Sequence, residues 1–135
     1  MALRWYTIVT DSLDPQALAR WWAETLNWTL IHDEPEEAVL IPPWASPEPI
    51  TNLDEWLRSG QGLCFVKVPD EKVVKNRLHI DLAPHSSQDR EAEIHALIER
   101  GATLADIGQD EEEGTWTVLR DPEGNEFCVL SSRER

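Results

Sequence analysis

The sequence of 135 residues is poor in cysteine and contains no long apolar run. Its two cysteines, Cys64 and Cys128, are too few and too far apart for a disulfide framework, which favours a reduced compartment. The first ten residues lack the basic start and the apolar stretch of a signal peptide. No apolar run approaches the roughly 20 residues that cross a bilayer. We therefore expect a cytoplasmic protein that has no membrane partner.

Basic residues are also scarce, because 12 Lys plus Arg stand against 26 Asp plus Glu, a formal net charge of −14. Such a chain repels phosphate groups, which argues against nucleic acid and anionic membranes as partners. Much of the acidic charge lies in residues 33–37, at Glu91 and Glu93, and in residues 110–113, all of which we expect to face solvent. We interpret the charge chiefly as a contribution to solubility, and secondarily as an attraction for a cationic ligand.

One familiar cofactor-binding motif and one familiar catalytic motif are missing. Gly60 and Gly62 do not form a dinucleotide fingerprint, and no Ser, His and Asp stand in the spacing of a catalytic triad. Tryptophan, in contrast, is abundant, with seven Trp against one Tyr and two Phe. Because tryptophan is large and amphipathic, it suits both a small core and the wall of a pocket for a flat ligand.

Hydrophobic patterning predicts that the chain repeats one α+β plan, β-α-β-β-β, twice. The predicted strands are residues 4–10, 28–32, 38–41, 63–68, 78–83, 102–107, 115–120 and 126–130. The two modules span about residues 1–70 and 74–135 of a single domain. Duplication predicts a cupped mixed sheet with helices on the outside, and the concave inner face is the expected place for a site.

The first helix carries local signals at both ends. Asp14 is a predicted N-cap that precedes a proline, Pro15, at the first helical position, and Asn27 is suited to the left-handed conformation that ends a helix. The residues predicted to share its buried face are Leu18, Trp21, Trp22 and Leu26.

The second helix is predicted to begin with a capping box formed by Ser86 and Asp89 and to end at Gly101. Residues 42–62 form a proline-rich insertion in which residues 52–59 are a short predicted helix. An insertion that carries aromatic residues beside a concave sheet is suited to be a lid, and the alternative is a small satellite core over the sheet edge.

Four segments resemble the vicinal oxygen chelate superfamily, which includes glyoxalase I, extradiol dioxygenases and bleomycin-resistance proteins. They are residues 11–28 (DSLDPQALARWWAETLNW), 74–82 (VKNRLHIDL), 100–103 (RGAT) and 121–130 (DPEGNEFCVL). The resemblance is closest to glyoxalase-like domains without an assigned activity. It implies duplicated βαβββ modules around a small-molecule site. In the enzymes of the superfamily, His, Gln or Glu side chains from the first and last strands of each module hold a divalent metal there.

Most metal positions implied by this resemblance carry other residue types. The first is Arg4, a cation that cannot coordinate, and the second falls among residues 64–67, which include no His or carboxylate. His79 matches the third position, and Cys128 stands where metal-binding relatives usually have Glu. Since a catalytic metal needs about three protein ligands, we expect no metal cofactor. The alternative is an irregular zinc or iron site formed by His79, Glu126 and Cys128.

Strand alternation predicts that His79 and Asp81 point into the cup, because Leu78, Ile80 and Leu82 suit the opposite, helix-packed side. A histidine beside a carboxylate can act as a general base or as a hydrogen-bond partner of a ligand. The alternative is a purely structural hydrogen bond.

Two further polar residues allow two interpretations each. Arg4 is expected to form an ion pair with Glu126 across the cup or, alternatively, to hold an acidic ligand. Cys128 is a nucleophile if His79 lowers its pKa, and otherwise a small apolar residue in a strand.

Five aromatic residues outside the first helix are candidate ligand contacts. Tyr6, Trp28 and Trp116 are predicted to line the cup, and Trp44 and Trp56 belong to the insertion. Together with His79, Asp81, Glu126 and Cys128, they make up the predicted ligand-binding set.

The function expected from these observations is a small-molecule-binding protein of the glyoxalase/bleomycin-resistance type that works without a metal. It would sequester a hydrophobic or aromatic compound such as an antibiotic. The alternatives are a metal-dependent lyase, isomerase or dioxygenase, a metal-free acid–base catalyst centred on His79, and an accessory domain that acts through protein partners. The resemblance also implies a homodimer, because relatives commonly pair.

Overall fold

The computed structural model of the chain describes residues 3–105 and 116–134. Within these ranges, three helices and eight strands follow the predicted twofold repeat. The chain divides into two compact units, Met1–Glu71 and Lys72–Arg135, each with a mixed four-stranded sheet. The predicted α+β class with two modules of one plan is therefore confirmed. None of the helices in the described ranges combines the length and the apolar character needed to span a bilayer.

The first unit contains β1 (Thr7–Ser12), α1 (Pro15–Leu26), β2 (Thr29–Asp33), β3 (Glu37–Ile41), α2 (Leu53–Arg58) and β4 (Gly62–Lys67). Its strand order is β1-β4-β3-β2, with β1 parallel to β4 and the other neighbours antiparallel. Helix α1 packs on β3 and β4. Its core includes Leu18, Trp22, Leu40 and Phe65, which are almost completely buried.

Helix α1 follows its local sequence signals closely. The Asp14 carboxylate accepts a hydrogen bond from the Ala17 N–H group at 3.2 Å, and Pro15 occupies the first turn. Asn27 ends the helix in the left-handed conformation with φ 56°. The predicted helix is therefore confirmed at both ends.

The second unit contains β5 (Ile80–Leu82), α3 (Arg90–Glu99), β6 (Thr103–Leu104), β7 (Trp116–Arg120) and β8 (Glu126–Leu130) in the sheet order β5-β8-β7-β6. Arg90, which is half-buried, donates hydrogen bonds to the carbonyl oxygens of Val129 and Leu130 and to the Thr117 hydroxyl. These bonds join the start of α3 to β7 and β8. The predictions for residues 106–107, 110–113 and 115 lie outside the described residues.

Three local predictions are wrong. Strand β1 begins at Thr7 rather than Arg4, because its pairing partner β4 begins at Gly62, opposite Thr7. Leu78 is 88% exposed instead of packed against a helix, since β5 begins only at Ile80.

The third concerns the start of α3. Its N-cap is Asp89, whose carboxylate accepts hydrogen bonds from the Glu91 and Ala92 N–H groups at 3.0 and 3.3 Å. Ser86 is not the cap, because its hydroxyl donates instead to Glu134 at 2.6 Å.

Candidate functional site

The first unit contains a cavity of about 370 Å³, which we call the first-unit cavity. Apolar side chains of β2 and β3 line one part of it, namely Ile31, Val39 and Ile41. The proline-rich insertion contributes residues 45–50, Trp56, Ser59, Gly60 and Gly62. The remaining lining residues are Arg4, Tyr6 and Thr7. The cavity is therefore mostly apolar, with a few polar groups and one arginine.

Arg4 is held at this cavity by aromatic and main-chain contacts. Its guanidinium carbon lies 4.9 Å from the Tyr6 ring centroid and 4.8 Å from that of Trp56. Its Nη1 donates a hydrogen bond to the Trp56 carbonyl oxygen at 3.0 Å, while its buried Nε has no hydrogen-bond partner among the described residues. Cation–π contacts of this kind stabilise and orient a guanidinium group.

The tryptophans of the insertion have different surroundings. Trp56 lines the first-unit cavity, whereas Trp44 contacts Trp28 edge to face, with ring centroids 6.4 Å apart. Trp44 also packs tightly against Gly60, where a Cβ atom would lie 2.9 Å from its indole nitrogen. Neither Trp28 nor Trp44 is a lining residue of this cavity. Trp44 is 73% exposed, so this contact does not form the buried satellite core that was the alternative for the insertion.

A polar cluster in the second unit joins three predicted site residues, which we call the second-unit trio. The His79 Nε2 lies 3.2 Å from an Asp81 carboxylate oxygen, and both side chains are 47% exposed. Cys128 is buried and stands opposite Asp81 in the parallel register of β5 and β8. One potential ligand atom from each residue lies within 4.8 Å of the other two.

The Cys128 thiol is not an activated nucleophile in this arrangement. Burial raises its pKa, and the Asp81 carboxylate raises the pKa further by its charge and by accepting a hydrogen bond. The thiol is therefore protonated near neutral pH, where the thiolate would be the reactive form. The interpretation in which His79 lowers this pKa is wrong, because the nearby carboxylate stabilises the protonated form.

Glu126 has a structural environment that the sequence did not indicate. Its side chain is 5% exposed and accepts hydrogen bonds from the Lys72 Nζ and the Asn76 N–H group, both at 2.9 Å. Burial raises the pKa of Glu126, but these two hydrogen bonds and the Lys72 charge outweigh it and leave the pKa below its usual value. Within the second unit, Lys72 is therefore the ion-pair partner of Glu126.

The candidate metal ligands in the structure differ from the predicted His79, Glu126 and Cys128, because the Glu126 carboxylate is bound to Lys72. Asp81 replaces Glu126 beside His79 and Cys128. An imidazole, a carboxylate and a thiolate are ligands that suit Zn²⁺, and three of them leave a position open. The trio therefore fits a zinc ion by ligand type and number, once Cys128 gives up its proton. The remaining candidate, Trp116, is 43% exposed at the start of β7 and pairs with Leu130.

Comparison with known proteins identifies the fold independently. The family model described as a glyoxalase-like domain matches residues 7–130. A possible glyoxalase from Bacillus cereus is 15% identical with a TM-score of 0.63, covering 96% of this chain and 99% of that one. A fosfomycin resistance protein from Listeria monocytogenes is 12% identical with a TM-score of 0.65, covering 98% and 94%.

A third solved structure carries the description of the whole superfamily. It is a glyoxalase/bleomycin resistance protein/dioxygenase family enzyme from Burkholderia phytofirmans, 13% identical with a TM-score of 0.64, covering 97% of this chain and 100% of that one. No curated protein sequence matches the chain. At these identities the solved structures show a shared fold, and the match over residues 7–130 shows that the chain belongs to the glyoxalase-like domain family.

Proposed function

We propose that this chain is a small-molecule-binding protein that takes up a hydrophobic or aromatic compound in the first-unit cavity. The observation that carries the proposal is an apolar cavity at which a guanidinium group lies against two aromatic rings, those of Tyr6 and Trp56. Its volume of about 370 Å³ lies within the range of known ligand pockets. Aromatic rings and β-branched side chains offer contact area to a flat ligand, and Arg4 can fix its orientation.

Binding in this cavity does not need a metal. Among its lining residues in the described part of the chain, Glu48 is the one carboxylate, and there is no histidine or cysteine. A single exposed carboxylate does not provide the three or four ligands that hold a divalent ion. The proposed mode of action is therefore sequestration by shape and stacking, for a compound such as an antibiotic. The name of the fosfomycin resistance protein from Listeria monocytogenes shows that the shared fold occurs in a resistance protein.

The test is binding of a panel of planar compounds that are neutral, cationic or anionic. Thermal shift and quenching of tryptophan fluorescence are measured for the wild type and for Trp56→Phe. Trp5→Phe is the matched control, because Trp5 is 65% exposed and does not line the cavity. We expect at least one compound to bind the wild type and the control, and to bind Trp56→Phe more weakly. The proposal fails if no compound binds, or if Trp56→Phe binds as the wild type does.

The second candidate is a metal-dependent enzyme of the same superfamily, and the second-unit trio favours it. His79, Asp81 and Cys128 would hold the ion, which would act as a Lewis acid on a substrate carbonyl or on water. The test is equilibrium dialysis against zinc, followed by elemental analysis. We expect stoichiometric zinc that is lost in His79→Ala but retained in Glu126→Gln, because Glu126 is bound to Lys72 instead. This candidate is excluded if zinc binds substoichiometrically or if His79→Ala retains it.

A further inference from the structure

We infer that Arg4 makes the first-unit cavity selective for planar aromatic carboxylates over neutral and cationic compounds of the same shape. The inference rests on the binding function proposed above and specifies its class of ligand. It also opposes the simplest expectation from a net charge of −14, which is a preference for cations.

Arg4 carries a positive charge that no carboxylate neutralises among the described residues of the first unit. A guanidinium group is protonated at all accessible pH values. Arg4 is half-buried, and the described residues of the first unit place no carboxylate oxygen within ion-pair distance of it. Among these residues, the acceptor of its hydrogen bond is the neutral Trp56 carbonyl oxygen. Because a partly desolvated charge without a counter-ion is costly, an anionic ligand gains more here than at an exposed arginine.

The guanidinium group of Arg4 is already oriented in the absence of a ligand. The Tyr6 and Trp56 rings contact it, and the Trp56 carbonyl holds its Nη1. A ligand therefore does not need to order a long flexible side chain, which lowers the entropic cost of binding. The buried Nε cannot reach a ligand, but Nη1 has a second N–H and Nη2 has two, so the end of the planar fork can still donate to the two oxygens of a carboxylate. The aromatic body of the ligand would lie against the apolar wall formed by Ile31, Val39 and Ile41.

The negative charge of the chain does not cancel the preference of the first-unit cavity for an anionic ligand. Glu48, the one acidic lining residue, is exposed, so that solvent screens its repulsion of an anion. The acidic residues near 33–37 are mostly exposed as well. Exposed charges are largely screened beyond about 8 Å at physiological ionic strength. At that ionic strength, the half-buried Arg4 is the charge that most strongly discriminates between ligands.

The experiment uses three probes with the same ring system and different charge: 2-naphthoate, 2-naphthylmethanol and 2-naphthylmethylammonium. Dissociation constants are measured by calorimetry at about 0.15 M NaCl, where long-range charge is screened. The indole N–H resonance of Trp56, assigned with Trp56→Phe, reports whether a probe occupies the cavity. We expect naphthoate to bind about tenfold more tightly than either other probe, the gain typical of a charge-assisted hydrogen bond.

Two variants of Arg4 test the cause of the preference. Arg4→Met keeps the apolar length but removes the charge, and we expect it to bind naphthoate and naphthylmethanol equally. Arg4→Lys keeps the charge without the planar fork, and we expect an intermediate preference. Far-UV circular dichroism establishes that each variant is folded, and the probe series on the wild type is informative even if a variant is not.

The outcomes separate this inference from the proposed function. If no probe shifts the Trp56 resonance, both the proposed function and the inference fail. If the three probes bind the wild type equally, the cavity is a ligand site but the inference is overturned. It is also overturned if Arg4→Met retains the preference for naphthoate.

Discussion

The two units have the same strand order, yet the residues around their equivalent cysteines differ. In the first unit, Cys64 on β4 lies between Val9 on β1 and Val39 on β3. In the second unit, Cys128 on β8 lies between Asp81 on β5 and Val118 on β7. One of the two strand neighbours therefore differs in polarity: Cys64 has Val9 where Cys128 has Asp81. The surroundings of Cys64 in the sheet are apolar, whereas Cys128 belongs to the polar second-unit trio.

A second difference lies two residues before each cysteine. The first unit has Gly62 at this position, and the second has Glu126. Gly62 lines the first-unit cavity, and a Cβ atom there would lie 3.0 Å from the Leu40 carbonyl oxygen and 3.6 Å from the Thr7 hydroxyl, so a larger residue would crowd this part of the lining. Glu126 instead extends a carboxylate that binds Lys72. The same fold thus provides a cavity in one unit and a buried ionic anchor in the other.

The largest effect we predict comes from removing the anchor with Glu126→Gln. The variant loses the ion pair with Lys72, and we expect its free energy of unfolding to fall by about 2 kcal/mol near neutral pH. The folded-state pKa of Glu126 is below the unfolded value, so this stabilisation is present above a pH of about 4.5 and is lost as the pH falls through the folded-state pKa. Urea unfolding at about pH 7 and about pH 3 measures the difference between wild type and variant.

The control for this prediction is an ion pair of the first unit that is more exposed. Asp33 pairs with Arg20 at 2.7 Å, with side chains that are 33% and 60% exposed. We expect Asp33→Asn to destabilise the protein less than Glu126→Gln does, because exposed ion pairs contribute little. The proposed stabilising role of the Glu126–Lys72 ion pair would be contradicted if both variants lost the same free energy of unfolding. It would also be contradicted if the loss in Glu126→Gln were as large at low pH as at neutral pH.

The next effect in size comes from the glycine of the first unit. In Gly62→Ala, the new methyl group meets the backbone of β3, and we expect a loss of about 1 kcal/mol in stability. We also expect weaker binding of any ligand that occupies the first-unit cavity, because the methyl group enters its lining. The change in the unfolding midpoint and the change in the dissociation constant of naphthoate are measured together.

Gly124→Ala is the matched control for this substitution. Gly124 has φ +87°, a conformation that costs alanine about 1 kcal/mol, and its added Cβ would contact no atom within 4 Å. It lies in the turn before β8, in the second unit. The comparison between the units is contradicted if Gly124→Ala weakens naphthoate binding as much as Gly62→Ala does.

The sequence predicted those parts of the fold in which the interacting residues are close together along the chain, and it failed where they are far apart. Helix α1 was predicted at both ends because Asp14 and Asn27 act within a few residues of their partners. The start of β1 was misplaced because it depends on Gly62, which the chain reaches only after α1 and two further strands. Local propensity at Arg4 carries no information about that pairing.

In the candidate sites too, contacts between residues close in sequence were predicted and distant ones were not. The proximity of His79 and Asp81 was predicted from strand alternation alone, since they are two residues apart. The contact of Arg4 with Trp56 spans 52 positions, and that of Glu126 with Lys72 spans 54, so neither could be deduced from local patterns. Charge type alone did not single out Lys72 as a partner of Glu126 among the basic residues of the chain.

The smallest effect we predict concerns the reactivity of the two cysteines. Asp81→Asn removes the charge that, after burial, most raises the pKa of Cys128. The pKa of that thiol should then fall towards its usual value, and we expect alkylation by iodoacetamide at about pH 8 to become about threefold faster. Mass spectrometry of the two cysteine-containing peptides measures both rates in one sample, with Cys64 as the internal reference.

Glu37→Gln provides the reciprocal control for the first unit, because the Glu37 charge contributes, after burial, to the raised pKa of Cys64. We expect this substitution to accelerate alkylation of Cys64 and to leave Cys128 unchanged. Burial remains the larger cause at both positions, so each acceleration should be modest. If either variant accelerates both thiols equally, the substitution has loosened the fold, and the two cysteines are not distinguished by their neighbouring carboxylates.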